Sequence, residues 1–135
     1  MKMKHKSVRL TLATFTAVIV SMLMLSAPAS ATSYGDCTLG NVCLYKDTGG
    51  GGGIKLYGGH EDQYTGNFLN CTWNPAVGCA VDNNASSVYN HGSSSNVMLY
   101  SSASYGGSNF SATRGWAYNL SAVGFNDVAT SHKWY

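Results

Sequence analysis

Short runs of alternating hydrophobic and polar residues, separated by turn residues, fill the chain beyond position 32. No segment there keeps the period of about 3.6 residues that marks an amphipathic helix. The stretches 42–45 and 97–100 have the composition of two equivalent strands, and each is followed by a glycine-bearing turn and a further short strand, at 54–56 and 108–110. The pattern therefore predicts an all-β domain built from two related halves.

Each half closes on a related hexapeptide. The first is Asp82-Asn83-Asn84-Ala85-Ser86-Ser87 and the second is Asn126-Asp127-Val128-Ala129-Thr130-Ser131. The hexapeptides lie 44 positions apart, whereas the opening strands lie 55 apart, so the first half carries 11 more residues. We expect this insertion between residues 66 and 80. Two halves of four short strands each, packed sheet on sheet, predict a β-sandwich of two four-stranded antiparallel sheets.

The start of the chain has the pattern of a secretory signal peptide. Basic residues at positions 2, 4, 6 and 9 precede an uncharged, largely apolar stretch from 10 to 25, and Ala29-Ser30-Ala31 follows. The stretch is shorter than the roughly 20 residues of a membrane-spanning helix, so a retained anchor is the less favoured alternative. We expect residues 1–31 to be removed, residues 32–135 to form a single secreted domain with related halves at about 42–89 and 97–135, and no membrane association after cleavage.

Removal of the signal peptide changes the charge of the chain. Four of the eight basic residues leave with it, and all six acidic residues stay, which gives a net charge of −2. A nucleic-acid partner requires a clustered basic face, and four scattered cations do not supply one. We therefore expect no nucleic-acid binding. We also expect the domain to be a monomer.

Four cysteines lie in the part expected to be exported, where disulfides form readily: Cys37, Cys43, Cys71 and Cys79. Four cysteines allow three pairings. Proximity along the chain favours Cys37–Cys43 and Cys71–Cys79. A zinc site is less favoured, because the intervening segments are longer than the usual two to four residues.

The second half carries the motif Tyr100-x4-Tyr105-Gly106-Gly107. It resembles the aromatic and glycine hairpin signature of βγ-crystallin Greek-key motifs. In the first half the position equivalent to Tyr105 is Gly50, inside a run of five glycines. The resemblance implies a Greek-key β-sandwich for the whole domain.

The hexapeptides resemble the calcium-binding stretch of the same superfamily, in which two Asn or Asp residues are followed by any two residues, Ser or Thr, and Ser. The ligand set that this resemblance implies is Asp82, Asn83, Ser86, Asn126, Asp127 and Thr130. One ion would use Asn83 with Thr130, and a second would use Asp127 with Ser86. Few formal charges surround either ion, so affinities on the order of 10⁻⁴ to 10⁻³ M are expected. The alternative is that these residues only shape turns.

The full layout, from signal peptide through Cys-x5-Cys and two crystallin motifs to Trp134, is similar to that of secreted actinobacterial proteins grouped with the Streptomyces metalloproteinase inhibitor family. This resemblance implies a secreted protease as partner. The segment predicted to contact it lies between Cys71 and Cys79 and consists of Thr72, Trp73, Asn74, Pro75, Ala76 and Val77, followed by Gly78. A short closed loop with a proline loses little conformational freedom when it docks.

Catalysis has little support in the sequence. Neither His-Glu-x-x-His nor Gly-x-Ser-x-Gly occurs. The best acid–base cluster is His60-Glu61-Asp62, but adjacent strand residues point to opposite faces, and the surrounding turn residues indicate a solvated loop. We expect His91 and His132 to be surface residues. The sequence therefore predicts a protein that is not an enzyme.

Two other functions compete with protease inhibition. One is a calcium-stabilised extracellular structural or stress protein. The other is a cell-wall-binding or toxin module, because killer-toxin-like proteins have related folds.

Overall fold

The computed structural model describes residues 34–71 and 79–135 of the 135-residue chain. The predicted signal peptide, residues 1–31, and the segment 72–78 lie outside these ranges. The strands of the described residues are β1 (Asn41–Tyr45), β2 (Gly53–Tyr57), β3 (Phe68–Cys71), β4 (Cys79–Ala80), β5 (Ser87–His91), β6 (Val97–Ser102), β7 (Gly106–Ala112), β8 (Ala117–Asn119) and β9 (Ser131–Trp134). Short 3₁₀ turns occupy Tyr34–Asp36, Thr48–Gly50 and Leu120–Val123. No helix of the described residues is long and apolar enough to cross a membrane.

The strands form two antiparallel sheets, which confirms the predicted all-β class. One sheet has the order β4-β3-β2-β1-β5-β8 and the other has the order β7-β6-β9. The strand numbers are six and three rather than the expected four and four. The larger sheet gains two strands because the insertion in the first half adds β3 and β4 beside β2. The smaller sheet lacks one strand because the first half contributes only a single bridge to it, between Glu61 and His132.

The two halves exchange backbone pairing. Strand β8 belongs to the second half, yet it pairs with β5 of the first, with Val88 opposite Tyr118. In return, Glu61 of the first half exchanges two backbone hydrogen bonds with His132 of the second, at N···O distances of 3.0 and 2.8 Å. Each half therefore completes the sheet of the other.

Strand β1 is buried on both faces, because the main core covers one face and the segment that holds Tyr34 and Cys37 covers the other. Val42 and Leu44 point into the main core between the sheets. Cys43 and Tyr45 lie on the opposite face, where they form a second cluster with Cys37 that Tyr34 covers. Full burial of a side chain such as Leu44 stabilises the fold by about 1.5–3 kcal/mol. The segment before β1 therefore protects the outer face of the sheet.

The predicted Cys37–Cys43 disulfide is confirmed, with a Cα–Cα distance of 5.9 Å. Cys79 is also disulfide-bonded, and no cysteine of the described residues is free. The side chain of Cys71 lies outside the described atoms, so its pairing with Cys79 stays a prediction.

The turns that follow β1 and β6 share the same pattern of positive φ angles. Gly50 has φ 78° and its equivalent Tyr105 has φ 60°, and two residues later Gly52 and Gly107 have φ 81° and 75°. Positive φ is strained for most residues and free of that cost for glycine. The glycine run therefore preserves the folded hairpin in the half that lacks the aromatic motif.

An aromatic ring still covers the first hairpin, and Tyr34 supplies it. A Cβ atom built on Gly50 would lie 2.9 Å from Cδ1 of Tyr34, so the ring packs directly against the glycine. The Tyr34 ring meets the Tyr45 ring edge-on, with 5.3 Å between the ring centroids, and the Tyr100 and Tyr105 rings meet at a tilt with 5.8 Å between theirs. Tyr34 thus supplies the aromatic ring that Tyr105 supplies in the second half.

Candidate functional site

The two hexapeptides lie side by side at one end of the sandwich, immediately before β5 and β9. Their backbones are joined reciprocally: Asn83 N–H donates to Ala129 C=O over 3.1 Å, and Asp127 N–H donates to Ala85 C=O over 3.0 Å. The second residue of each hexapeptide, Asn83 or Asp127, has φ 53°. Asn and Asp tolerate this left-handed conformation better than most residues, which explains their use at this position.

The side chains predicted as shared ligands lie across from one another. Ser86 Oγ donates to Asp127 Oδ1 over 3.3 Å, and Thr130 Oγ1 donates to Asn83 Oδ1 over 3.3 Å. Each pair joins a hydroxyl from one hexapeptide to a carboxylate or amide oxygen from the other. Their role as metal ligands stays a prediction, but the pairing matches the two-site arrangement that the crystallin resemblance implies.

The hexapeptides offer oxygen atoms of the types that bind calcium. Calcium prefers oxygen ligands from carboxylates, amides and backbone carbonyls. Asp82 adds a buried carboxylate atom, Oδ1, that has no hydrogen-bond partner, whereas Asn126 Nδ2 donates to Asp127 Oδ2 over 2.7 Å. No group of three His, Cys, Asp or Glu side chains suited to a metal occurs in the described ranges. Any ion held here would depend largely on neutral oxygens and would bind weakly.

The last serine of each hexapeptide has a structural role that sequence reasoning missed. Ser87 Oγ accepts a hydrogen bond from Gly50 N–H over 3.1 Å and donates to Asp47 C=O over 2.6 Å. Ser131 Oγ does the same for Tyr105 N–H, over 3.2 Å, and Ser102 C=O, over 2.7 Å. These buried hydroxyls tie each hexapeptide to the folded hairpin of its own half. The signal in the sequence that could have predicted this role is the serine that ends both hexapeptides.

His132 is fully buried, so the expectation of a surface histidine was wrong for this residue. Its Nδ1 lies 2.8 Å from Tyr64 Oη, and its Nε2 lies 2.8 Å from the carbonyl oxygen of Gly59. A carbonyl can only accept, so Nε2 carries the proton and Nδ1 accepts from Tyr64. Burial lowers the pKa of His132 to about 4. The ring is therefore a neutral structural group at ordinary pH.

The cluster His60-Glu61-Asp62 is engaged in structural contacts. His60 Nδ1 accepts the backbone N–H of Trp134 over 3.0 Å. The backbone of Glu61 pairs with that of His132, and Asp62 C=O accepts from Ser104 N–H over 2.7 Å. All three residues thus anchor the connection between the sheets.

The predicted protease-contact loop, Thr72 to Val77, lies outside the described residues, but its supports are visible. Strands β3 and β4 pair with Phe68 opposite Ala80 and Leu69 opposite Cys79. Leu69 is buried in the main core, and Cys79 packs against that core. The segment is thus closed at its base by an antiparallel strand pair.

Comparison with known proteins places the chain in a family. The model of peptidase inhibitor family I36 matches residues 30–112. The chain belongs to this family. The match covers the first half of this family member, including the β3–β4 insertion, and continues to the end of β7. No curated protein matches the chain significantly.

Solved structures show the fold of this peptidase-inhibitor-family protein to be that of a βγ-crystallin domain. One similar structure, from work on the evolution of the eye lens βγ-crystallin domain fold, has a TM-score of 0.61 at 16% identity, covering 73% of this chain and 89% of the other. A second, a βγ-crystallin from an archaeon, has a TM-score of 0.53 at 15% identity, covering 73% of this chain and 100% of the other. Identities this low inform on fold alone.

Proposed function

We propose that this protein is a secreted inhibitor of metalloproteinases whose βγ-crystallin scaffold is stabilised by weakly bound calcium. The observation that carries inhibition is the family match across residues 30–112, because it spans the insertion that distinguishes the first half from the second. Secretion is supported by the signal-peptide pattern of residues 1–31 and by the Cys37–Cys43 disulfide, which forms most readily outside the cytosol.

The insertion is suited to presenting a protease-binding segment. Cys71 pairs with Gly53 at the start of β2, next to the folded hairpin of residues 46–52. The chain therefore leaves and re-enters the sheet at the end that carries the hexapeptides. Anchoring by Leu69 and by the disulfide of Cys79 fixes both ends of the segment, which reduces the entropy lost on docking.

Trp73 is the side chain expected to dominate binding to the protease. Large aromatic residues at the centre of an interface carry much of its binding energy. The described part of the chain offers a matched control in Trp116, whose side chain is 64% exposed and lies on the turn before β8.

The test measures inhibition by purified residues 32–135 against a thermolysin-like metalloproteinase and a panel of secreted serine proteases. We expect equimolar inhibition of the metalloproteinase, at least tenfold weaker inhibition by Trp73→Ala, consistent with loss of roughly 2 kcal/mol, and no change in Trp116→Ala. Absence of inhibition across the panel would refute the proposal. Equal inhibition by Trp73→Ala and the native protein would remove the loop assignment.

The paired hexapeptides favour one alternative, a calcium-stabilised extracellular protein with no protease target. Their reciprocal backbone bonds and cross-paired side chains would be equally useful to such a protein. The protease panel separates the two functions, since only the inhibitor has a target on it.

A further inference from the structure

A surface cavity of about 180 Å³ lies at the end of the sandwich opposite the hexapeptides. Strand β5 begins at the first hexapeptide and ends at His91, and the cavity is lined by the residues that follow. The described residues that line it are Gly40, Gly58, Ser93, Ser94, Ser95 and Trp134. It is smaller than the roughly 300–1,000 Å³ of pockets that enclose a drug-sized ligand. It therefore suits one ring of a larger molecule.

The indole of Trp134 is held in a fixed position on this cavity. Its Nε1–H donates to Gly59 C=O over 2.8 Å, and its backbone N–H donates to His60. On the other side the ring rests on Gly92, where an added Cβ would collide with Cζ3. Because the indole N–H is already engaged, Trp134 can offer a ligand only its ring surface. A ring fixed before binding loses little entropy when a ligand stacks on it.

The remaining lining is polar and neutral. Three consecutive serines contribute hydroxyls, each able to donate and accept, and two glycines leave their backbone accessible. None of these six residues carries a charge. An anionic ligand would find no cation in the lining. A hydrocarbon would remove water from the serine hydroxyls without replacing its hydrogen bonds, although Ser94 Oγ and Ser95 Oγ also contact each other over 3.5 Å. The lining therefore favours a neutral ligand that has an apolar face and several hydroxyl groups.

We propose that this cavity binds one ring of a neutral polysaccharide. A pyranose ring presents an apolar C–H face, which would stack on the Trp134 indole, and equatorial hydroxyls, which would exchange hydrogen bonds with Ser93 and Ser94. Both serines are exposed, so they can reach a chain that continues beyond the cavity. The site lies at the opposite end of the sandwich from the pairing of Cys71 with Gly53.

The experiment titrates ¹⁵N-labelled protein with the tetramers of β-1,4-glucose and β-1,4-N-acetylglucosamine, which distinguishes two sugar sources. We expect at least one tetramer to bind with a Kd on the order of 1 mM, shifting the amides of Gly58 and Ser93–Ser95 and the indole N–H of Trp134. Trp134→Ala removes packing and can unfold the protein. The decisive variant is therefore Ser93→Ala with Ser94→Ala, expected to bind about tenfold more weakly because two hydrogen bonds are lost.

The control is Ser108→Ala with Ser121→Ala, which removes two exposed hydroxyls that do not line the cavity and should leave the Kd unchanged. Three results would overturn the proposal: no shifts up to about 20 mM of either tetramer, shifts centred on the hexapeptides, or equal affinity in the Ser93/Ser94 variant. None of these measurements involves a protease, so they are independent of the inhibitor assay.

Discussion

Acidification should destabilise this protein through His132. The ring is fully buried between Tyr64 and the carbonyl of Gly59, and it lies 4.8 Å from the Tyr57 ring. Protonation of Nδ1 would place a charge in this apolar setting and would displace the Tyr64 hydroxyl proton that Nδ1 accepts. Desolvation is the main reason that the pKa falls from 6.5 to about 4.

The sign and size of the effect follow from the two pKa values. Between pH 6.5 and pH 4 the unfolded state binds a proton at His132 that the folded state does not, so the free energy of unfolding falls as the pH falls through this window. Above pH 6.5 the full stability is present, and below pH 4 no further loss arises from this group. With a folded pKa of about 4, the loss between pH 7 and pH 5 is about 2 kcal/mol. For a domain of roughly 100 residues this lowers Tm by about 10 °C.

The assay is urea unfolding at closely spaced pH values, combined with NMR titration of the His132 ring. In His132→Gln the glutamine amide can still donate to Gly59 C=O, but it cannot titrate. The free energy of unfolding of this variant should be lower at pH 7 and should depend less on pH between 7 and 5. Ser108→Ala, at an exposed site that does not titrate, serves as the control and should keep the native pH dependence. An NMR midpoint near 6.5 for His132, or identical slopes in His132→Gln and the native protein, would refute the reasoning.

Calcium at about 10 mM should stabilise the fold by roughly 2.7 kcal/mol if a site binds near 10⁻⁴ M, visible as a higher Tm that a chelator reverses. Asp127→Ala should lose more of this gain than Asn83→Ala, because it removes a carboxylate, and identical melting curves with calcium and chelator would show that the hexapeptides are only turns. Ser131→Ala should cost about 2 kcal/mol in urea unfolding without calcium, since two backbone groups lose their partner; Ser108→Ala, at an exposed site, should stay within about 0.5 kcal/mol. Gly92→Ala should cost about 1–3 kcal/mol, because the new methyl group would collide with Trp134; native-like stability would contradict this packing.

The sequence was informative where a pattern repeats within the chain. The two opening strands are farther apart in the chain than the two hexapeptides, so the first half had to contain an insertion. The structure shows β3 and β4 in the region where this insertion was expected. The cross pairs Asn83 with Thr130 and Asp127 with Ser86 followed from the crystallin resemblance, because a pseudo-twofold arrangement brings each hexapeptide against the other.

The sequence was less informative where a residue's environment comes from distant parts of the chain. His132 lies between Ser131 and Lys133 in β9, and these polar neighbours give no sign of burial. Tyr64 and Gly59 nevertheless enclose it from about 70 positions away. Tyr34 likewise covers Gly50 although no motif links them. Local periodicity cannot report such contacts, since they depend on which loop passes over which strand.

At one end of the sandwich, side-chain hydrogen bonds connect the hexapeptides to the neighbouring hairpins, and this connection bears on the proposed function. At the hexapeptide end, Ser87 and Ser131 join each hexapeptide to a folded hairpin, and the β3–β4 pair opens at the same end. An ion that orders the hexapeptides would therefore also order the hairpin next to Gly53, which pairs with Cys71 at the start of the proposed protease-contact segment. If inhibition depends on that segment, calcium should strengthen inhibition as well as stability. Because Ser87 couples hexapeptide to hairpin, Ser87→Ala should weaken this calcium dependence of inhibition while leaving the segment itself intact.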